Sequence, residues 1–143
     1  MKKPQWDSTL SMGSTVIDKQ HKDIFQLIDD MYDRFNSPFP LIGEEFAVFL
    51  SKISDHGLQH FKDEEALMVK VGFPNFEQHK SVHKHYIYKV AMFNAEFLGE
   101  NPTQAEKVLY FLINWWEYHI KTMDKEIEFH ILNNSSKLDF DIV

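Results

Sequence analysis

The chain has 143 residues, is 43% hydrophobic and 15% aromatic, and carries a formal net charge of -7 with no cysteine. A single domain of this length can bury a substantial core, and the lack of cysteine excludes disulfides, zinc–thiolate sites and iron–sulfur clusters. The acidic balance argues against nucleic acid as a partner, because phosphate contacts need clustered Lys and Arg.

The start, Met1-Lys2-Lys3-Pro4-Gln5-Trp6, has no apolar run behind its lysines and does not read as a signal peptide. No apolar stretch approaches the ~20 residues needed to span a bilayer, so a cytoplasmic chain with no membrane span is expected. Residues 1–13 read as an extended arm, punctuated by Pro4 and Gly13 and anchored by Trp6 and Leu10. The first helix is expected from Thr15, a candidate N-cap with Asp18 three residues on. Ile17, His21, Ile24, Phe25, Ile28, Met31, Tyr32 and Phe35 recur at helical spacing. Asn36-Ser37-Pro38 ends it, since a residue before proline disfavours the helical region.

The second helix runs from Glu44 to about Val71, with Phe46, Phe49, Leu50, Ile53, His56, Gly57, His60, Phe61, Glu64 and Met68 as its inward stripe and Gly72 as its stop. The link Gly72-Phe73-Pro74 is short, so the third helix returns antiparallel. It spans about Asn75 to Leu98, with Phe76, His79, His83, Tyr86, Val90 and Phe93 inward, and Gly99 stops it. Asn101-Pro102-Thr103 opens the fourth, where Thr103 and Glu106 fit a capping box. Val108, Leu109, Phe111, Leu112, Trp115, Trp116, His119 and Met123 follow, with Asp124 near its end. Asn133-Asn134-Ser135-Ser136 reads as a polar break before a loose tail. The expected fold is all-α: an antiparallel up-down-up-down four-helix bundle with an extended N-terminal arm. It forms one domain over residues 1–143, with the arm at 1–13, the bundle over about 14–131 and the tail at 132–143.

Histidine is the unusual residue, at eight positions. His21, His60, His79, His83 and His119 fall within the apolar stripes, and so do Glu64 and Asp124. In a helix, residues four apart share a face, so His60 projects with Glu64 and His79 with His83. Unpaired buried imidazoles and carboxylates are unfavourable, and a bound metal supplies the missing partners. Five nitrogens and two carboxylates are too many for one four-coordinate zinc. They suit two metals bridged by the carboxylates. Five histidines cannot divide equally: one metal takes three, the other takes two and keeps a position vacant for a small ligand. Such donors suit iron, with manganese, cobalt and zinc also compatible.

Four stretches carry a resemblance. They are Ile17-Asp18-Lys19-Gln20-His21; His60-Phe61-x-x-Glu64-Glu65-x-Leu67-Met68; Phe73-Pro74 with His79-x-x-x-His83; and Trp115-x-x-x-His119-Ile120-x-x-x-Asp124. Together they resemble the hemerythrin family in its single-domain bacterial form. The resemblance implies reversible O2 binding at a non-haem diiron centre. Its cofactors would be two iron ions, ferrous or ferric, with a bridging oxo or hydroxo group. By position, His79, His83 and His119 would hold the saturated iron, His21 and His60 the open one, and Glu64 and Asp124 would bridge. Ile24, Phe25, Phe61, Trp115 and Ile120 are the expected apolar shell near the open iron, and no catalytic residue is expected. Ile127 departs from the pattern, standing where the family has a tyrosine. His56, one turn before His60, reads as a spectator, and His85 and His130 lie off the site.

The function this implies is O2 storage, transport or delivery, without enzymatic activity. An oxygen-using enzyme or a signalling protein would be the partner. The alternatives are an O2 or redox sensor module and a diiron enzyme acting on peroxide, nitric oxide or nitrite. Oxygen-activating diiron enzymes usually carry more carboxylates and a Glu-x-x-His arrangement, whereas this chain has His-x-x-x-Glu and a His-rich set, which favours binding over oxidation.

Overall fold

The computed structural model describes residues 5–41, 43–96 and 102–134, which hold five helices and no strand. Helix α1 is Thr15–Phe35, α2 is Gly43–Lys70, α3 is Phe76–Glu96, α4 is Pro102–His119 and α5 is Lys125–Asn133. A π-helical turn, Ile120–Asp124, joins α4 to α5, so these two form the fourth rod of a four-helix bundle. No described helix is long and apolar enough to cross a membrane.

The N-terminal arm is not fully extended. Ser8–Leu10 form a 3-10 turn, capped by the Asp7 side chain, which accepts from the Thr9 amide at 2.8 Å. The two expected anchors hold: Leu10 is buried in the main core and Trp6 packs against it, with the Lys22 ammonium 4.4 Å above its ring. The cap of α1 is Ser14 rather than Thr15, its hydroxyl accepting from the Ile17 amide. Asp18 turns back instead to take the Met12 amide at 2.8 Å, tying the arm to the helix. Pro102 already sits in α4, where proline suits the first turn because its missing N–H would have no partner there; the Thr103 side chain, on which the capping-box expectation rests, lies outside what the structure describes. The expected stop at Gly99 and the tail beyond 134 lie outside the described residues.

Helix α1 packs on α2 and α4, and α2 packs on α3. Between α3 and α4 the contact runs through large rings, Tyr86 against Trp115 at 4.2 Å and Phe93 against Phe111 at 5.3 Å. Two apolar clusters fill the interior. The larger includes Ile24, Phe25, Phe61, Leu112, Trp116 and Ile120. The smaller includes Ile17, Leu67, Met68, Phe73 and Ile127. Along each rod the polar buried residues fall between them: His21 between Ile17 and Ile24, Glu64 between Phe61 and Leu67, Asp124 between Ile120 and Ile127. The bundle thus encloses a polar layer sealed by hydrocarbon on both sides. Ile127 is fully buried and belongs to this seal.

Helix α2 ends in a Schellman turn. Gly72 has φ +63°, the Phe73 amide reaches the Met68 carbonyl at 2.9 Å, and the Gly72 amide reaches the Val69 carbonyl at 3.2 Å. A side chain in this left-handed conformation is strained. Gly72→Ala is therefore expected to lower unfolding free energy by about 1 kcal/mol, read by urea denaturation, with no change in metal content. An unchanged midpoint would show that the turn does not constrain the fold.

Candidate metal centre

Seven polar side chains meet in the sealed layer: His21 from α1, His60 and Glu64 from α2, His79 and His83 from α3, His119 from α4 and Asp124 from the π turn. Each is at most 2% exposed. Their ligand atoms form two sets that share both carboxylates: His79, His83 and His119 with Glu64 and Asp124, and His21 and His60 with the same pair.

The helix period explains most of this convergence. His60 and Glu64 lie four residues apart on α2, and His79 and His83 lie four apart on α3, so each pair shares a face. His119 and Asp124 are five apart. In an α-helix five residues carry the chain about 500°, leaving the two side chains about 140° apart around the axis. The π turn removes that mismatch, and the His119 Nε2 lies 3.0 Å from Asp124 Oδ1.

The carboxylates divide their oxygens between the sets. Glu64 Oε1 lies 2.9 Å from His79 Nε2 and 3.1 Å from His83 Nε2, while Oε2 lies 3.3 Å from His60 Nε2. Asp124 Oδ1 faces His79 at 3.1 Å and His119 at 3.0 Å, and Oδ2 faces His21 at 3.1 Å. All five imidazoles present Nε2. His79 and His83 each approach the His119 Nε2, at 3.1 and 3.2 Å, and His21 approaches His60 at 3.1 Å. None of the four carboxylate oxygens has a hydrogen-bond partner, although all are buried. Lone pairs aimed at common points, with acceptor oxygens left orphaned, are what bound cations would satisfy. The donor set fits a metal centre.

Two of the imidazoles are oriented from behind. The His60 Nδ1 donates to Gln20 Oε1 at 2.9 Å, and Gln20 Nε2 in turn donates to Asp63 at 2.6 Å. The His83 Nδ1 donates to the Glu65 carboxylate at 2.9 Å. Donation from Nδ1 fixes the tautomer that leaves Nε2 free for a metal. Spacing alone turns Glu65 away from the site and gives Gln20 no role. The signal that could have found them is adjacency: each neighbours a site residue, Glu64 or His21, at the edge of a buried stripe.

The rings around the layer are more sharply assigned than expected. Ile24, Phe25, Phe61 and Ile120 are buried in the larger cluster. Phe61 stacks on His83 at 4.0 Å and on Trp116 at 5.5 Å. Trp115 does not lie over the two-histidine side. It stacks flat on His119 of the other set, at 4.4 Å and 12°. Trp116 takes the place against His60, at 5.8 Å, and donates its Nε1–H to Tyr86 Oη at 3.0 Å. Adjacent helix positions point about 100° apart, so only one of the two tryptophans can face each way. His56 is exposed, despite its place in the expected stripe, because Ile53, Gly57 and His60 take the inward positions. His85 is exposed, and His130 bonds the Val71 carbonyl at 2.8 Å, closing the end of α2.

Comparison with known proteins places this arrangement among relatives. The family model described as the hemerythrin HHE cation binding domain matches residues 12–128. Bacteriohemerythrin of Pseudomonas aeruginosa is 32% identical over 123 residues, covering 83% of this chain and 75% of that one. A hemerythrin-like protein of Naegleria gruberi is 29% identical over 119 residues, covering 83% and 86%. A crystal structure of wild-type hemerythrin superposes with a TM-score of 0.65 at 27% identity, over 85% of this chain and 92% of that one.

Charge in the metal-free layer follows from the same geometry. Burial pushes the His79 imidazole down, but its contacts with Asp124 and Glu64 outweigh burial and raise its pKa from 6.5 to about 10. Burial raises Glu64 and Asp124, yet His60 and His79 hold Glu64, and His119, His21 and His79 hold Asp124, well below the usual carboxylate range. A raised imidazole pKa contributes stability fully below pH 6.5 and loses it as pH climbs through about 10. The depressed carboxylates contribute above the ordinary carboxylate range and lose their part on acidification. The chelated chain should therefore melt at progressively lower temperature as pH rises from 6.5 to 10, followed by circular dichroism. A melting temperature that climbs over that interval would contradict the ion pairing assigned to His79.

Proposed function

The chain belongs to the hemerythrin family, and we propose that it binds O2 reversibly at a non-haem diiron centre, as a store, carrier or delivery protein rather than an enzyme. The observation that carries this reading is the unequal division of five imidazoles around two shared carboxylates. His79, His83 and His119 would hold one ion and His21 and His60 the other, with Glu64 and Asp124 spanning both. The three-imidazole set would be filled by protein and bridges. The two-imidazole set would be one donor short, and that position is the seat for a diatomic ligand. A bound iron pair supplies one electron from each ion and the coordination position itself.

The protein's part is to hold, orient and keep dry. The carboxylate oxygens, one toward each set, fix the spacing of the pair. Gln20 and Glu65 lock two imidazoles in the tautomer that binds metal. Ile24, Phe25, Phe61 and Ile120 surround the layer with hydrocarbon. None of these four side chains carries an acidic proton, so the lining would offer no acid to a small ligand held at the open position. This apolar lining supports binding over turnover.

Purified chain reconstituted with ferrous iron should hold about two irons, and exposure to O2 should produce a visible absorption band that fades under vacuum. Irreversible oxidation on the first exposure would defeat the carrier reading. Replacing His79 by Ala removes a donor that touches both carboxylates, and should reduce iron content to one per chain or fewer, measured by metal analysis on folded protein. Full loading of that variant would show the ligand assignment to be wrong.

A further inference from the structure

The N-terminal arm enters the bundle through a polar clasp that the oxygen-binding reading does not use. Ser11 stands at its centre. Its hydroxyl donates to Asp18 Oδ2, and the next amide, that of Met12, donates to Asp18 Oδ1 at 2.8 Å. On the other side, the Ser11 carbonyl accepts from Lys125 Nζ at 2.6 Å. Lys125 also donates to Glu128 Oε1 at 2.8 Å, and these two side chains are only 21% and 17% exposed. Met12 is buried beside the clasp with Ile17 and Ile127. The arm is thus seated between α1 and α5 by hydrocarbon as well as by hydrogen bonds.

Both ends of the clasp adjoin the two-imidazole set. Asp18 lies three residues before His21, on the same side of α1. Lys125 directly follows Asp124. His21 Nε2 and Asp124 Oδ2, 3.1 Å apart, are the contact that the clasp spans. His21 is what α1 brings to the layer, whereas the three-imidazole set draws on α2, α3, α4 and the π turn. A shift of α1 away from α5 therefore moves a donor of the first set and none of the second. We infer that Asp18 and Lys125, joined through Ser11, are positioning residues for the two-imidazole metal position: the clasp holds α1 against α5 and so fixes how firmly that ion is kept. This rests on the two-metal reading of the layer. Metal donors act together only when held within about 0.5 Å of their working geometry. Charge-assisted bonds are strong, and half-buried ones are little screened by salt. The set with fewer protein donors, four side chains against five, is the one that loosening empties first.

The test loads the full chain with cobalt(II) alone, which reports coordination without oxygen chemistry. Two ions should bind, and EDTA should withdraw them in two phases. His21→Ala identifies the phase of the two-imidazole position by removing it. In Lys125→Met that phase should quicken severalfold while the other keeps its rate. Lys125→Arg still donates to the Ser11 carbonyl and to Glu128, and should restore most of the wild-type rate. Asp18→Ala opens the clasp from its other end and should quicken the same phase. Combining it with Lys125→Met should add little, because the two residues act through one link. Gly72→Ala loosens the fold away from the clasp and should leave both phases unmoved, which separates positioning from general destabilisation. Equal quickening of both phases overturns the proposal. So does no quickening, release of both ions in a single phase, or an arginine variant that behaves like the methionine one. A wild-type chain that takes up fewer than two cobalt ions defeats the two-metal reading and the clasp with it. Two ions released in phases that the variants do not move defeat the clasp alone.

Discussion

Two carboxylates buried side by side in hydrocarbon are the constraint from which the rest of the structure follows. Glu64 and Asp124 are fully buried, their oxygens have no hydrogen-bond partner, and each raises the other's affinity for protons. Left alone they would be strongly destabilising. Five imidazoles ring them, and in the metal-free chain the contacts of His79 with both carboxylates hold positive charge on that ring. With metal bound, the charge comes from the cations instead. The bundle is thus arranged around a charge that it cannot neutralise with backbone dipoles or solvent.

The apolar clusters have a matching role. Because hydrocarbon lies on both sides of the layer, water cannot enter to solvate the carboxylates, and attraction between opposite charges is strong in so poorly polarisable a setting. The seal is made largely of rings. Phe61 is stacked on both His83 and Trp116, and Trp115 is stacked on His119. Rigid rings fix the imidazole planes, so the orientation of these rings is set by packing as much as by Gln20 and Glu65.

Most of this was legible in the sequence where one period governed. The four rods, the short turn at Gly72, and the meeting of His60 with Glu64 and of His79 with His83 follow from apolar and polar residues recurring three and four apart. What escaped depends on geometry that breaks the period or lies one residue off it. Ser14 wins the cap because Asp18 is engaged with the arm. His56 looks inward by spacing from His60, yet Gly57 occupies the interior and His56 meets solvent. Trp115 and Trp116 are interchangeable by composition, and only the rotation of α4 decides which ring covers which imidazole. Glu65 and Gln20 were hidden because polar residues beside a buried stripe usually end in solvent.

The π turn at Ile120–Asp124 has a consequence in the currency of genes. It amounts to one extra amino acid in an otherwise regular rod: remove it, and His119 and the aspartate would stand four apart on an uninterrupted α-helix, as His60 and Glu64 do on α2. The fourth rod can therefore be pictured as an ordinary bundle helix into which a single codon was inserted. That residue shifts the helical register of everything after it by one position, and carries Ile127 into the seal along with Asp124. Any alignment that slides a gap across these five residues would pair Asp124 with the wrong neighbour, and would hide one of the two buried carboxylates from view.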